Sequence, residues 1–110
     1  MQALWSAVQN KAPVIVLVLR NGDYSALKGF CDFTQVGRNV PGMDLPGIDI
    51  VKIAEGYGME AHAVDQPGEL ESALRAAFAA SEPRLICVNV AKGGKKTMGM
   101  DQSVNPPNYR

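Results

Sequence analysis

The chain has 110 residues, of which 46% are hydrophobic and 20% are charged, and eleven basic side chains balance eleven acidic ones. This length permits one domain, and the composition is too apolar for a disordered chain. Zero net charge argues against sequence-independent nucleic-acid binding, and the longest apolar run, at 14–19, is too short to span a bilayer. We therefore expect no nucleic-acid partner and no membrane partner. Only two cysteines occur, which favours a reducing, cytoplasmic location.

Three predicted strands alternate with helical segments along the first 90 residues. The first strand, at 14–19, is a continuous β-branched run, which is typical of a strand buried on both faces of a parallel sheet. The other strands are predicted at 60–64 and 85–90. Helices are predicted from the start of the chain to Pro13, at 24–30, from an Asp49 cap to about Tyr57, and from Pro67 to about Ala80.

This alternation predicts βαβ units with right-handed crossovers. The expected fold class is therefore α/β, a three-layer α/β/α arrangement around a mostly parallel sheet. Residues 37–47 contain two prolines and three glycines and are predicted to form a loop. Residues 91–110 show no periodicity, so we divide the chain into a domain at 1–90 and a C-terminal tail at 91–110 that docks on a partner subunit or stays mobile.

A polar turn, Asn21-Gly22-Asp23, follows the most apolar strand directly. Ligands in open α/β sheets bind at the carboxyl ends of strands, and side-chain amide oxygens and backbone carbonyls suit a hard cation such as Mg²⁺. Asn-Gly is also a common turn sequence, so on local signals alone both interpretations stay open.

Other reactive side chains give weaker signals. His62 is the only histidine, and a lone histidine in a short strand is more often structural than catalytic. Cys87 lies in an apolar strand and is expected to be an inert core thiol, whereas Cys31 could be exposed. The lysines at 92, 95 and 96 are most simply a solvated segment, with a phosphate or partner contact as the alternative.

Several segments together resemble thiamine-diphosphate-dependent enzymes, and among them the branch of benzoylformate decarboxylase and its relatives. These segments are 2–7, the turn and the residues after it at 20–27, the Pro- and Gly-rich stretch 40–49, and Ala54-Glu55-Gly56-Tyr57-Gly58. The resemblance covers about residues 1–90. It implies an incomplete C-terminal domain that binds thiamine diphosphate through Mg²⁺.

The resemblance also implies roles for residues of the turn and of the helix after it. Asn21 matches an asparagine whose side chain ligates the metal, and Asp23 matches a position that ligates it through the backbone carbonyl. The implied cofactor-binding segment is Asn21, Gly22, Asp23, Tyr24 and Ser25. Ala26, Leu27 and Phe30 are implied to shape the substrate pocket, although Leu27 and Phe30 could equally be plain core residues.

The motif Gly-Asp-Gly, which supplies the first metal ligand in this family, occurs nowhere in the 110 residues. The family's N-terminal domain, which activates the cofactor, has no counterpart either. We therefore expect a fragment of a 2-oxo acid decarboxylase that is inactive alone, binds the cofactor weakly at best and forms a homo-oligomer. An acetolactate-synthase-type carboligase fragment is one alternative, and a non-catalytic truncated α/β module that acts through oligomerisation is another. Whether Met1 is a true start stays open.

Overall fold

A computed structural model describes residues 2–37 and 39–92 of the chain. The described residues divide into two compact units, one formed by the residues up to Arg20 and by Gly47–Val90, the other by the residues from Asn21 to Pro46 together with Ala91 and Lys92. The described residues form the helices α1 (Gln2–Gln9), α2 (Ser25–Phe33), α3 (Ile50–Gly56) and α4 (Pro67–Ala79). They also form the strands β1 (Ile15–Arg20), β2 (Glu60–Val64) and β3 (Arg84–Asn89). The predicted tail beyond Lys92, with Lys95 and Lys96, lies outside the described residues.

The first unit is built on a three-stranded parallel sheet in the order β1-β3-β2. The central strand is β3, which follows the other two in sequence, and its Ile86 lies opposite Leu17 of β1 and His62 of β2. The strands predicted at 14–19 and 85–90 are each displaced by one residue in the structure, while the strand at 60–64 has the predicted bounds. The expected parallel sheet is confirmed.

Local signals explain where two helices of this unit begin. The Asp49 carboxylate accepts the backbone N–H of Lys52 at 3.1 Å and so caps α3, as the sequence predicts. Pro67 occupies the first turn of α4, and the Glu69 carboxylate accepts the backbone N–H of Gln66 at 3.3 Å.

Helices pack on both faces of the sheet. Alternate side chains of each strand point to opposite faces, so neighbouring residues of one strand contact different helices. Leu85 and Cys87 of β3 belong to a buried cluster with residues of α1 and α3, and Ile86 belongs to a second cluster with residues of α4. The three-layer α/β/α arrangement is thereby confirmed for this unit. None of the described helices combines the length and the apolar character needed to cross a membrane.

The prediction that the first strand is buried on both faces is wrong for the described chain. Leu17 is 46% exposed and Leu19 is 65% exposed. Within the described residues β1 pairs with β3 alone, and the core cluster under α4 reaches β1 only at Ile15. The outer part of β1 is therefore a sheet edge that no other described residue covers.

The second unit contains α2 and a short antiparallel bridge between Asp23 and Asp44. The helix predicted at 24–30 runs from Ser25 to Phe33. Cys31 is 8% exposed, with its Sγ 4.0 Å from Sδ of Met43, so the expectation that this thiol could be exposed is wrong. Met43 therefore contributes to the burial of the thiol.

Candidate functional site

The turn after β1 is folded back on itself by the Asn21 side chain. Oδ1 of Asn21 accepts the backbone N–H of Asp23 at 3.3 Å, and Nδ2 donates to Oγ of Ser25 at 3.1 Å. Gly22 between them has φ +73°, a conformation that glycine adopts without a steric penalty. A carbonyl-type oxygen has two acceptor lone pairs, and the hydrogen bond that Oδ1 of Asn21 accepts among the described residues leaves one of them for a further partner.

Asp23 uses its carboxylate inside the protein. The residue is 7% exposed, and its carboxylate accepts hydrogen bonds from the Ser25 hydroxyl and from Nζ of Lys28, the latter at 3.0 Å. The Ser25 hydrogen bond, followed by that of Lys28, holds the pKa of Asp23 below its usual range. A carboxylate committed in this way is a poor candidate for a metal ligand.

The backbone carbonyl of Asp23 lies outside the hydrogen bonds of the bridge to Asp44. The bridge to Asp44 is made by two hydrogen bonds, from Tyr24 N–H to the Met43 carbonyl at 2.9 Å and from Leu45 N–H to the Gly22 carbonyl at 3.0 Å. Both bonds use neighbours of Asp23, so its carbonyl takes no part in the bridge.

Lys28 joins the two acidic residues of the bridge. Its Nζ lies 3.0 Å from Oδ2 of Asp23 and 2.7 Å from Oδ1 of Asp44, and its side chain is only 14% exposed. The hydrogen bond to Asp44, followed by that to Asp23, raises the pKa of Lys28, and the same lysine lowers the pKa of Asp44. Lys92 approaches the same Asp44 oxygen at 3.6 Å. The charges of this cluster therefore balance internally.

The oxygens at this turn fit a magnesium ion in type. The Asn21 side-chain oxygen and the Asp23 carbonyl are hard donors of the kind that Mg²⁺ prefers. Across residues 2–37 and 39–92, no three His, Cys, Asp or Glu side chains are grouped so that they could hold a metal. The turn could therefore supply two ligands, and the remaining ones would come from water, phosphate oxygens or other protein groups.

The residues implied to shape a substrate pocket lie on the exposed side of α2. Leu27 is 51% exposed and Phe30 is 53% exposed, so the alternative that they are core residues is wrong for the described chain. Ala26 is exposed as well. Tyr24, directly before the helix, is 48% exposed.

The first unit has its own cleft of about 370 Å³ where its three strands end. Nη1 of Arg20 donates to Oδ1 of Asn89 at 3.3 Å, and Nδ2 of Asn89 donates to Oδ1 of Asp65 at 2.6 Å. Cys87 lines part of this cleft. Burial raises the pKa of its thiol, in line with an inert core cysteine. His62 is exposed on β2, with Nε2 3.2 Å from Oε1 of Glu60.

Reasoning from the sequence missed Lys28 and Asp44. Lys28 lies five residues after Asp23, which is not the spacing of a helical ion pair, and Asp44 lies sixteen residues further on in a segment without periodicity. The one available signal was that the charge of Lys28 is opposite to those of Asp23 and Asp44. Such a difference in charge is too common in a sequence to identify a contact.

Comparisons with known proteins agree on one family. The family model described as "Thiamine pyrophosphate enzyme, C-terminal TPP binding domain" matches residues 1–88. Benzoylformate decarboxylase of Pseudomonas aeruginosa is 46% identical over 84 residues, which cover 76% of this chain and 16% of that protein. Acetolactate synthase of Bacillus subtilis is 33% identical over 87 residues, covering 79% of this chain and 15% of that protein.

A solved structure has the same fold. The thiamine diphosphate-dependent 4-hydroxybenzoylformate decarboxylase of Rhodococcus jostii RHA1 superposes with a TM-score of 0.79 at 44% identity, over 86% of this chain and 18% of that one. The chain thus spans about a sixth of the length of the curated relatives it matches.

Proposed function

We propose, given that this chain belongs to the thiamine pyrophosphate enzymes through their C-terminal TPP-binding domain, that Asn21 and Asp23 hold the Mg²⁺ that binds the cofactor's diphosphate. One observation carries this proposal. The turn presents an amide oxygen that accepts one hydrogen bond among the described residues and a carbonyl outside the bridge, while the Asp23 carboxylate is engaged by Ser25 and Lys28. The backbone of Gly22, Tyr24 and Ser25 completes the cofactor-binding segment.

The reaction that we propose for the whole protein is decarboxylation of a 2-oxo acid, a lyase activity. Support comes from the 46% identity to a protein named benzoylformate decarboxylase. When bound, thiamine diphosphate supplies the carbanion chemistry that this reaction needs, and the protein supplies binding, orientation and exclusion of water. Ala26, Leu27 and Phe30 are proposed to contact the substrate, because they are apolar and exposed.

Carboligation of the acetolactate-synthase type is the second candidate, favoured by the 33% identity to the Bacillus subtilis protein. Residues 1–90 are proposed as the cofactor-binding part of the chain. Association between copies stays a prediction. The chain alone is expected to be inactive, since it contains no Gly-Asp-Gly motif. Turnover of a 2-oxo acid by the chain alone would contradict that expectation.

Titration of the ¹⁵N-labelled chain with thiamine diphosphate, with and without Mg²⁺, tests the metal site. We expect binding near a Kd of about 1 mM, or about −4 kcal/mol, with NMR shift changes centred on residues 21–25 that require Mg²⁺. Asn21→Ala should abolish the Mg²⁺ dependence, because it removes the side-chain oxygen.

Asn10→Ala is the matched control. Asn10 is exposed, and its amide donates to the Ser6 carbonyl in α1, so the variant should titrate like the wild type. The proposal fails if the wild-type chain shows no Mg²⁺-dependent change at about ten times the expected Kd, where a single site is about nine-tenths occupied. It also fails if the changes lie away from the turn.

A further inference from the structure

The two residues joined by the antiparallel bridge of the second unit are both acidic. Asp23 and Asp44 lie directly opposite each other, as a pair that exchanges no hydrogen bonds with each other. In such pairs the side chains approach closely and share one face of the ribbon. Like charges at directly opposite positions destabilise the pairing. On backbone grounds alone, this bridge should therefore be a weak one.

Lys28 removes that repulsion. Its ammonium group contacts a carboxylate oxygen of each aspartate, at 3.0 Å and 2.7 Å, and its side chain is mostly withdrawn from water. Asp23 is nearly buried, and a buried carboxylate requires a compensating charge more strongly than an exposed one does. Lys28, Asp23 and Asp44 thereby form a network of two ion pairs that share one ammonium group.

The bridge in turn fixes the backbone on both sides of Asp23. Its two hydrogen bonds end on the Gly22 carbonyl and on the Tyr24 amide, which flank the Asp23 carbonyl. We infer that Lys28 is a positioning residue, whose contacts with Asp23 and Asp44 hold the Asn21–Ser25 turn in the conformation that presents its oxygens to the metal. This inference rests on the proposed function of the turn.

The same contacts assign Lys28 a role different from direct phosphate binding. Two of the three N–H donors of its ammonium group already serve carboxylates, whose negative charges compensate its positive charge and so weaken its attraction for a phosphate. Lys28 therefore acts on the cofactor through the backbone of the turn, and its removal should change local order even when no cofactor is present.

Hydrogen exchange of the backbone amides of Tyr24 and Leu45, followed by NMR, tests this role without cofactor. Lys28→Met should accelerate both amides by about tenfold or more, because it leaves two carboxylates opposed and one of them buried. Lys28→Arg should restore most of the protection, since a guanidinium group can donate to both carboxylates. Lys52→Met, which removes an exposed lysine 3.4 Å from Asp49, is the matched control and should leave both rates unchanged.

A double variant separates charge relief from general packing. In Lys28→Met with Asp44→Asn the repulsion is gone, so Tyr24 and Leu45 should exchange more slowly than in Lys28→Met alone. This comparison also tests the role of Lys28 if the Lys28→Met variant unfolds. Unfolding would appear as faster exchange of the Cys87 amide in β3. Equal exchange or equal unfolding in the single and double variants would overturn the inference.

The cofactor titration supplies the second readout. Lys28→Met should weaken the Mg²⁺-dependent shift changes at residues 21–25, and Lys28→Arg should recover them. Unchanged exchange rates in Lys28→Met overturn the role of Lys28 and leave the proposed function standing. Absence of Mg²⁺-dependent binding in the wild type overturns the proposed function, while the exchange rates still decide whether Lys28 holds the turn.

Discussion

Gly22 stands at the centre of the candidate metal turn, and its backbone explains why no larger residue suits the position. Its φ of +73° lies in the left-handed region, between the two residues proposed to bind the metal. A Cβ atom at this position would have Cε of Lys92 as its nearest neighbour, 3.9 Å away, which is an ordinary contact. Any cost of substitution at Gly22 therefore comes from the backbone and not from a steric clash.

Gly22→Ala should lower the free energy of unfolding by about 1 kcal/mol, because alanine pays a conformational penalty at positive φ. Gly68→Ala is the control. Gly68 lies in α4, where an added Cβ would meet no atom within 4 Å, and alanine favours helix, so this variant should be neutral or stabilised by about 0.5 kcal/mol. Urea denaturation of the two variants measures both values, and equal losses in both would contradict the backbone explanation.

Part of the site followed from the sequence and part of it did not. Asn21 and Asp23 were singled out as candidates because the polar turn directly follows a strand and resembles a known motif, and their role stays a prediction. Lys28 and Asp44 were not found, because their contact depends on the antiparallel bridge that brings Asp44 opposite Asp23. No periodicity in that segment fixes which residue lies opposite Asp23.

Strands β1 and β3 show what an apolar run does and does not reveal. Both runs predict strands correctly to within one residue, because β-branched and apolar residues at this length favour extended structure. The position of a strand within the sheet depends on its partners, which the run itself does not specify. Hence β1 was expected to be covered on both faces, yet in the described chain it carries two exposed leucines at the sheet edge.

A leucine-to-alanine substitution in each of the two strands measures the difference in side-chain burial between β3 and β1. Leu85→Ala in the central strand, where Leu85 is 1% exposed, should lower the free energy of unfolding by about 2–5 kcal/mol through lost burial and a residual cavity. Leu19→Ala at the edge, where the side chain is 65% exposed, should change it by no more than about 0.5 kcal/mol. Chemical denaturation of both variants compares them, and a cost at Leu19 close to that at Leu85 would show that the edge is covered in solution.

In both described units, folding lowers the pKa of carboxyl groups. Asp23 and Asp44 of the second unit are held low mainly by hydrogen bonds from Ser25 and Lys28 respectively. In the first unit, Asp49 is held low mainly by the Lys52 backbone N–H, and Glu60 mainly by Arg84. Each lowered pKa contributes stability that is fully present above the unfolded-state value, about 3.9 for Asp and 4.3 for Glu.

That stability is lost as the pH falls through the lowered folded-state values, because the unfolded chain then binds more protons than the folded one. The chain should therefore unfold more readily in urea below about pH 4 than at neutral pH. Glu60→Gln should be less stable than the wild type at neutral pH, and the difference should shrink as Glu60 itself becomes protonated. Urea midpoints measured across the acid range check this, and a difference independent of pH would contradict the ionic explanation.

The strand order β1-β3-β2 has a consequence for how the described sheet assembles. Its two outer strands have no backbone hydrogen bonds to each other, and within the described residues each is joined to the sheet through β3. Since β3 follows both of them along the chain, neither has a described strand partner until β3 is in place. Leu85 and Ile86, the largest apolar side chains of β3 in the core, arrive with it, so this sheet and its core should form in the same step of folding.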